Sequence, residues 1–121
     1  MSSFAQNKQD AAQYLTQFSG GVLNHIDGKQ QPALDNTWFE SLSPIDLKPL
    51  TKVAHGKAAD IDLAAQAAHR AFAPWAAMSG KERQKILHKV ADGIEARAQE
   101  IALLECIDTG QAIKFMAKAA L

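Results

Sequence analysis

The sequence has little of what several functional classes require. Its 121 residues include one cysteine, Cys106, so an internal disulfide is impossible and we expect a reducing, cytoplasmic location. Thirteen basic residues balance thirteen acidic ones, which leaves no excess positive charge to hold nucleic acid. The sequence has no apolar run of membrane-spanning length. We therefore expect neither nucleic acid nor a membrane among its partners.

Residues that could carry chemistry are few and scattered. The four histidines do not have the spacing of a metal site; they are His25, His55, His69 and His88. Cys106 lies in a helical pattern with no base or glycine-rich elbow beside it, which favours a buried structural thiol. The sequence has no G-x-G-x-x-G or P-loop motif. We predict no catalytic residue, no cofactor-binding residue and no cofactor for this chain alone.

The first half of the chain predicts a short helix and then strands. Apolar residues at helical spacing indicate a helix up to Phe18, ended by two glycines. Strand-like runs follow at residues 22–26, 37–42 and 50–54, and Asp27-Gly28 after the first run is a typical tight-turn pair. Pro44 interrupts the second run, so that strand should end before it.

The second half reads as consecutive helices. Asp60 is the predicted N-cap of the first, and Pro74 its predicted end. Ser79 with Glu82 forms the pattern of a capping box, which should start the second helix. We expect a break near residues 95–98 and a stop at Gly110.

A last helical pattern begins near residue 113 and includes Ala120 and Leu121, so its apolar stripe runs to the end of the sequence. We expect a truncated domain on this ground. The predicted organisation is an N-terminal helical extension over 1–20 and a partial domain over 21–121. Its strands should occupy about 22–56, and its helices about 60–121.

Several segments resemble aldehyde dehydrogenases. Residues 24–29, N-H-I-D-G-K, are similar to the I-N-G-x-W/K opening of that family, and residues 39–44 are similar to its next strand. Residues 57–72 are similar to its first helix, and residues 75–95 match its W-x-x-M-S-x-x-E-R pattern and the helix after it. Residues 100–110 match E-x-A-x-L-E-x-x-D-T-G. The order and spacing of these segments over residues 23–110 make the resemblance specific.

The resemblance implies an α/β fold: the N-terminal part of a Rossmann-like coenzyme domain, seen here as a short β-hairpin region followed by several amphipathic helices. It implies a full-length enzyme, homo-oligomeric, that oxidises an aldehyde to a carboxylic acid with NAD or NADP. The family's catalytic cysteine and glutamate would lie beyond residue 121. Residues 108–116 look closest to the branch that acts on hydroxymuconic semialdehydes.

The resemblance also implies one metal site. Many family members bind a monovalent cation through backbone oxygens of a strand and the aspartate of a D-T-G motif, and these positions correspond to Ser41, Leu42 and Asp108. A further ligand would come from outside this chain. The alternative is that Asp108 only caps a helix end or turn.

The sequence departs from the family pattern in one loop. Ser43 stands where the family has asparagine, and Ile45-Asp46-Leu47 replaces an A-T-G turn. We expect this loop to be remodelled.

Two other functions remain open at this point. The chain could be a non-catalytic helical interaction module that binds a partner through its apolar helix faces. It could instead be a decayed gene fragment. It could also be a small thiol enzyme using Cys106.

Overall fold

The computed structural model describes residues 3–119, in which two β-hairpins lie among α-helices. Helix α1 (Phe4–Leu15) continues into a short 3-10 turn (Thr16–Phe18). The strands are β1 (Asn24–Ile26), β2 (Lys29–Gln31), β3 (Trp38–Leu42) and β4 (Pro49–Ala54). The remaining helices are α2 (Ala58–Ala77), α3 (Gly80–Ala96), α4 (Ala98–Thr109) and α5 (Ile113–Ala119). This is the predicted hairpin region followed by helices.

The first hairpin closes at the predicted tight turn. Strands β1 and β2 pair antiparallel, with Ile26 opposite Lys29 and two residues between them. Asp27 and Gly28 both have positive φ, 54° and 72°, as a type I′ turn requires. Aspartate and glycine accept that conformation at low cost, which explains why this dipeptide could be identified from the sequence.

The second hairpin holds the N-terminal segment. Strands β3 and β4 pair antiparallel, with Ser41 opposite Thr51. Val22 bridges to the edge of β4: its N–H donates to the Lys52 carbonyl, and its carbonyl accepts from the Ala54 N–H, both at 2.8 Å. The Thr51 hydroxyl donates to the Phe18 carbonyl at 2.8 Å. The end of the first helical segment is therefore fixed to β4.

The close approach of the N-terminal segment to β3 and β4 requires glycine at position 21. Its φ is 101°, and a Cβ at this position would lie 2.6 Å from the Trp38 ring and 2.9 Å from Lys52. The Lys52 ammonium lies over the Trp38 ring, 4.5 Å from its centre, so the site is closed on both sides.

Two predictions about α2 were wrong. The N-cap is Lys57, and Asp60 lies three residues inside the helix, where its carboxylate accepts from the Lys57 N–H at 3.0 Å and the Leu34 N–H at 2.9 Å. Pro74 does not end the helix, which continues to Ala77. Proline has no backbone N–H, so the helix loses one hydrogen bond at Pro74. Because Pro74 lies near the helix end, the earlier turns remain intact.

The other helix boundaries are confirmed. The Ser79 hydroxyl accepts from the Glu82 N–H at 3.2 Å, and the Glu82 carboxylate accepts from the Ser79 N–H at 2.8 Å, which completes the capping box. Arg97 separates α3 from α4, and Gly110 ends α4 in the left-handed conformation with φ 77°. The last predicted helix is α5; Ala120 and Leu121 lie outside the described residues.

The described residues bury mostly small side chains. The buried apolar residues are Ala11, Ile26, Ala33, Ala54, Ala67, Ala102 and Leu103. Helix α3 has no buried residue along its 17 residues. Within residues 3–119, no helix is both long and apolar enough to cross a membrane.

The loop between β3 and β4 adopts a left-handed conformation at Leu47. This leucine has a φ of 58°, and its side chain is exposed. Its N–H donates to the Ser43 carbonyl at 2.9 Å, and the Ser43 N–H donates to the Lys48 carbonyl at 2.9 Å. These bonds hold residue 47 in a conformation that glycine adopts without strain, and glycine is the residue of the A-T-G turn that this loop replaces.

We therefore expect Leu47→Gly to be more stable than Leu47→Ala by about 0.5–1 kcal/mol. The left-handed conformation costs roughly 1–2 kcal/mol for a residue with a Cβ, and the extra backbone freedom of glycine offsets about 0.5–1 kcal/mol of that gain. Urea unfolding of the two variants measures the difference. Because both variants remove the exposed leucine side chain, a higher stability of Leu47→Ala would contradict the strain.

Candidate functional site

A cleft of about 360 Å³ lies between the end of the first helical segment, the β3–β4 hairpin and α4. Most of its wall is apolar, and its polar side chains lie on β3, β4 and the last turns of α4. The lining residues are Leu15, Phe18, Val22, Ser41, Leu50, Thr51, Val53, Ile101, Leu104, Glu105, Ile107 and Asp108. Two of the three predicted cation residues, Ser41 and Asp108, therefore border the same cleft, and Leu42 does not line it.

The structure brings two of those residues into contact. The Ser41 hydroxyl, on β3, donates to the Asp108 carboxylate, on α4, at 2.9 Å. These residues are 67 positions apart in the sequence. Leu42 follows Ser41 on β3, and because its side chain is a hydrocarbon, only its backbone carbonyl could be a ligand.

The hydrogen bonds at the end of α4 do not involve the Asp108 side chain. The Gly110 N–H donates to the Cys106 carbonyl at 3.0 Å, and the Thr109 hydroxyl donates to the Glu105 carbonyl at 2.8 Å. The Asp108 carboxylate instead accepts from Ser41 across the cleft. The geometry thus gives Asp108 a contact between elements, which a simple helix cap would lack.

Oxygen atoms such as those of Ser41 and Asp108 are the type of ligand that binds a monovalent cation. Hydroxyl, carboxylate and carbonyl oxygens are hard ligands. The site predicted from the resemblance uses backbone oxygens of Ser41 and Leu42 with the Asp108 carboxylate, and it stays a prediction. Within residues 3–119, no group of three histidine, cysteine, aspartate or glutamate side chains is placed to hold a metal ion.

Cys106 has the environment of a structural thiol. It lies half-buried on α4, and burial, followed by the neighbouring Glu105 carboxylate, raises the pKa of its thiol. A raised pKa reduces the thiolate fraction that a nucleophile needs. The four histidines are exposed, and the ring of His55 packs edge-on against Phe39 with 5.7 Å between ring centres.

A polar contact that the sequence did not reveal joins the 3-10 turn after α1 to α4. The Glu100 carboxylate accepts from Arg97 at 2.7 Å and from the Gln17 side chain at 2.7 Å. Arg97 first, and Gln17 second, lower the pKa of Glu100 to about 2. The spacing of Arg97 and Glu100 was a signal for their ion pair, but nothing local indicated Gln17.

Comparison with known proteins covers most of the chain. Residues 30–120 match the profile described as the Aldehyde dehydrogenase family. This chain belongs to the aldehyde dehydrogenase family. The recognition made from residues 23–110 is therefore confirmed.

Individual relatives agree with the family. The NADP/NAD-dependent aldehyde dehydrogenase PuuC of Escherichia coli is 43% identical over 91 residues, which are 74% of this chain and 18% of the relative. The 2-hydroxymuconic semialdehyde dehydrogenase of Pseudomonas sp. strain CF600 is 38% identical over 91 residues, 74% of this chain and 19% of that protein. This aldehyde dehydrogenase chain thus spans about a fifth of the length of these relatives.

A solved structure confirms the fold. The crystal structure of HpcC from Thermus thermophilus superposes with a TM-score of 0.88 and 31% identity. The superposition covers 93% of this chain and 22% of HpcC. The hairpins and helices are therefore the N-terminal part of the aldehyde dehydrogenase α/β fold, as predicted.

We expect the Cys106 thiol to react slowly with iodoacetamide at neutral pH, because its raised pKa keeps it protonated. The rate should rise about tenfold per pH unit and continue to rise above the pKa of an ordinary cysteine. Mass spectrometry of labelled chain measures this rate, with the urea-unfolded chain as the reference.

The variant Glu105→Gln removes the smaller cause of the shift and should lower the pH of half-maximal labelling. A labelling rate that has already reached its maximum at pH 7 would contradict the structural role. It would instead support a small thiol enzyme.

Proposed function

We propose that this chain is the N-terminal segment of the coenzyme-binding domain of an enzyme that oxidises an aldehyde to a carboxylic acid with NAD or NADP. The observation that carries the proposal is the continuous family match over residues 30–120, together with the shared fold. In this proposal the segment is catalytically incomplete, and the nucleophile and base belong to the rest of the enzyme.

The described residues do not fit a nicotinamide cofactor. The sequence has no glycine-rich turn between a strand and a helix that could hold the diphosphate. We assign no residue of this chain to NAD or NADP, although the name of PuuC includes both cofactors. In this proposal, NAD or NADP binds to the full-length enzyme.

The proposed substrate class is an aldehyde, and a hydroxymuconic semialdehyde is the finer proposal. Its support is the similarity of residues 108–116 to that branch and the 38% identity with the Pseudomonas enzyme of that name. PuuC, at 43% identity, carries a general name, so this support is narrow. We further propose that the complete enzyme is a cytoplasmic homo-oligomer.

A chimera tests the proposed function. Residues 30–120 replace the matching 91-residue segment of PuuC, and NADH or NADPH formation is followed with several aldehydes, including a hydroxymuconic semialdehyde. We expect activity within about 100-fold of PuuC, since a 1 Å displacement of catalytic groups costs about that factor. The 121-residue chain by itself should show no aldehyde-dependent reduction.

The controls separate the alternatives. PuuC without the segment should be inactive. A folded chimera with no turnover would refute the proposed function. Turnover by the 121-residue chain alone, if it survives Cys106→Ser, would show that the chemistry has been placed wrongly.

We also retain the monovalent cation site as part of the proposal. The support is the contact between the Ser41 hydroxyl and the Asp108 carboxylate, which brings two of the three predicted residues together. The ion would join β3 to the end of α4 and so fix one wall of the cleft. The remaining ligands would come from residues outside this chain.

We expect the chimera to melt about 2–4 °C higher in potassium chloride than in choline chloride of equal ionic strength, because an ion that binds only the folded state stabilises it. Asp108→Asn should abolish this difference. Glu105→Gln, one turn earlier on α4 in the same cleft, should preserve it. An equal effect of the two substitutions would contradict a site at Asp108.

A further inference from the structure

The first helical segment supplies part of the wall of the cleft. Leu15 of α1 and Phe18 of the 3-10 turn line the cleft together with residues of β4 and α4, and both side chains are half-buried. Removal of this segment would leave the apolar lining of β4 and α4 open to water. We call residues 4–18 the N-terminal strap.

The strap buries little of its own surface. Along the 12 residues of α1, the buried residue is Ala11. Apart from its own 3-10 turn, α4 is the described element against which α1 makes more than isolated contacts. An isolated helix of this length is marginally stable in water, so α1 depends on that contact. Elements with few buried apolar contacts open at a lower free energy than the core.

Polar contacts hold the strap on α4. The Gln17 side-chain amide donates to the Glu100 carboxylate at 2.7 Å, and the Gln99 amide donates to the Asp10 carboxylate at 3.4 Å. Hydrogen bonds to an ionised group are stronger than those between neutral groups. The shorter contact, between Gln17 and Glu100, is therefore the main polar lock of the strap.

The chain can turn at the end of the strap. Gly20 is exposed, and a Cβ built there would have no heavy atom within 4 Å. From the next residue onward the chain is fixed, because Gly21 lies against the Trp38 ring and Val22 is hydrogen-bonded to β4. Gly20 therefore separates the strap from a firmly held segment, and glycine has the backbone freedom of a hinge.

Release of the strap leaves its former partners with other contacts. Glu100 keeps the guanidinium of Arg97, which donates to it at 2.7 and 2.9 Å. The Thr51 hydroxyl, which donates to the Phe18 carbonyl in the closed arrangement, also lies 3.3 Å from the Lys52 carbonyl. Neither group becomes an unpaired buried group on opening, so the large cost of such a group is avoided.

We propose that the N-terminal strap is a lid built into this chain, which turns at Gly20 and is locked by Gln17 on Glu100. It opens as a unit while the β3–β4 hairpin and α4 stay folded. Opening exposes the apolar wall of the cleft beside Ser41 and Asp108, and closing covers it. The proposal concerns this chain by itself and does not depend on the proposed function.

Native-state hydrogen exchange of the 121-residue chain tests the proposal. The amides of residues 11–15 should exchange at least about tenfold faster than those of β4 and α4. Their exchange should also depend less on urea below the unfolding transition, because opening of the strap exposes little surface. Equal exchange of α1, β4 and α4, whether fast or slow, would overturn the proposal.

Substitutions separate the lock from the rest of the helix. Gln17→Ala should speed exchange of the α1 amides at least about fivefold and leave β4 unchanged. Gln13→Ala is the matched control, since Gln13 is exposed on the same helix, and it should change exchange less than about twofold. Gly20→Ala should slow α1 exchange by about two- to fivefold, because alanine restricts the open chain.

A thiol in the cleft wall reports access directly. In a Cys106→Ser background, Val53→Cys places a thiol on β4 in that wall. Its labelling by iodoacetamide should accelerate in Gln17→Ala by the same factor as α1 exchange. Equal effects of Gln17→Ala and Gln13→Ala, labelling that does not follow α1 exchange, or unchanged α1 exchange in Gly20→Ala would each contradict the lid. If Gln17→Ala does not fold, the unmodified chain still decides through its exchange pattern.

Discussion

The pairing of β3 with β4 is the interaction on which the rest of the described structure depends. Its outer edge takes up Val22 through two backbone hydrogen bonds, and Thr51 holds the carbonyl of Phe18. From β3, Ser41 reaches the carboxylate of Asp108 on α4. The hairpin therefore positions both the N-terminal helical segment and α4, which also contact each other directly through Gln17 and Glu100. The requirement for glycine at residue 21 follows from the same closeness, since the Trp38 ring occupies the space of a side chain there.

Carboxylates near helix starts connect several of these elements through hydrogen bonds. The Asp60 carboxylate accepts from the backbone N–H of Lys57, the N-cap of α2, and from that of Leu34, so it fixes the helix to the preceding loop. Glu82 closes the start of α3, and Glu100 connects the first turn of α4 to Gln17. A negative charge at a helix start is favourable in itself, and each of these carboxylates also accepts hydrogen bonds that water would otherwise supply. These three acidic residues thus have structural contacts.

The small buried core of the described residues agrees with the proposed function. In that proposal the chain is one segment of a larger fold, and such a segment needs only enough internal packing to define its own hairpins and helices. The cleft beside Ser41 and Asp108 fits this view, because its wall is built from the ends of several elements and its proposed ion needs ligands from elsewhere.

The sequence by itself determined the features that depend on residues close together in the chain. The Asp27-Gly28 turn, the Ser79–Glu82 capping box, the break at Arg97 and the stop at Gly110 each involve neighbours within four positions, so local rules suffice. The motif order also identified the family, and the resemblance implied one cation site at Ser41, Leu42 and Asp108, which stays a prediction. Only the tertiary structure decided the roles of Asp60 and Glu100, whose partners Leu34 and Gln17 lie 26 and 83 residues away. It also decided the left-handed conformation of Leu47, because the hydrogen bonds of the β3–β4 loop impose a backbone shape that leucine does not itself prefer.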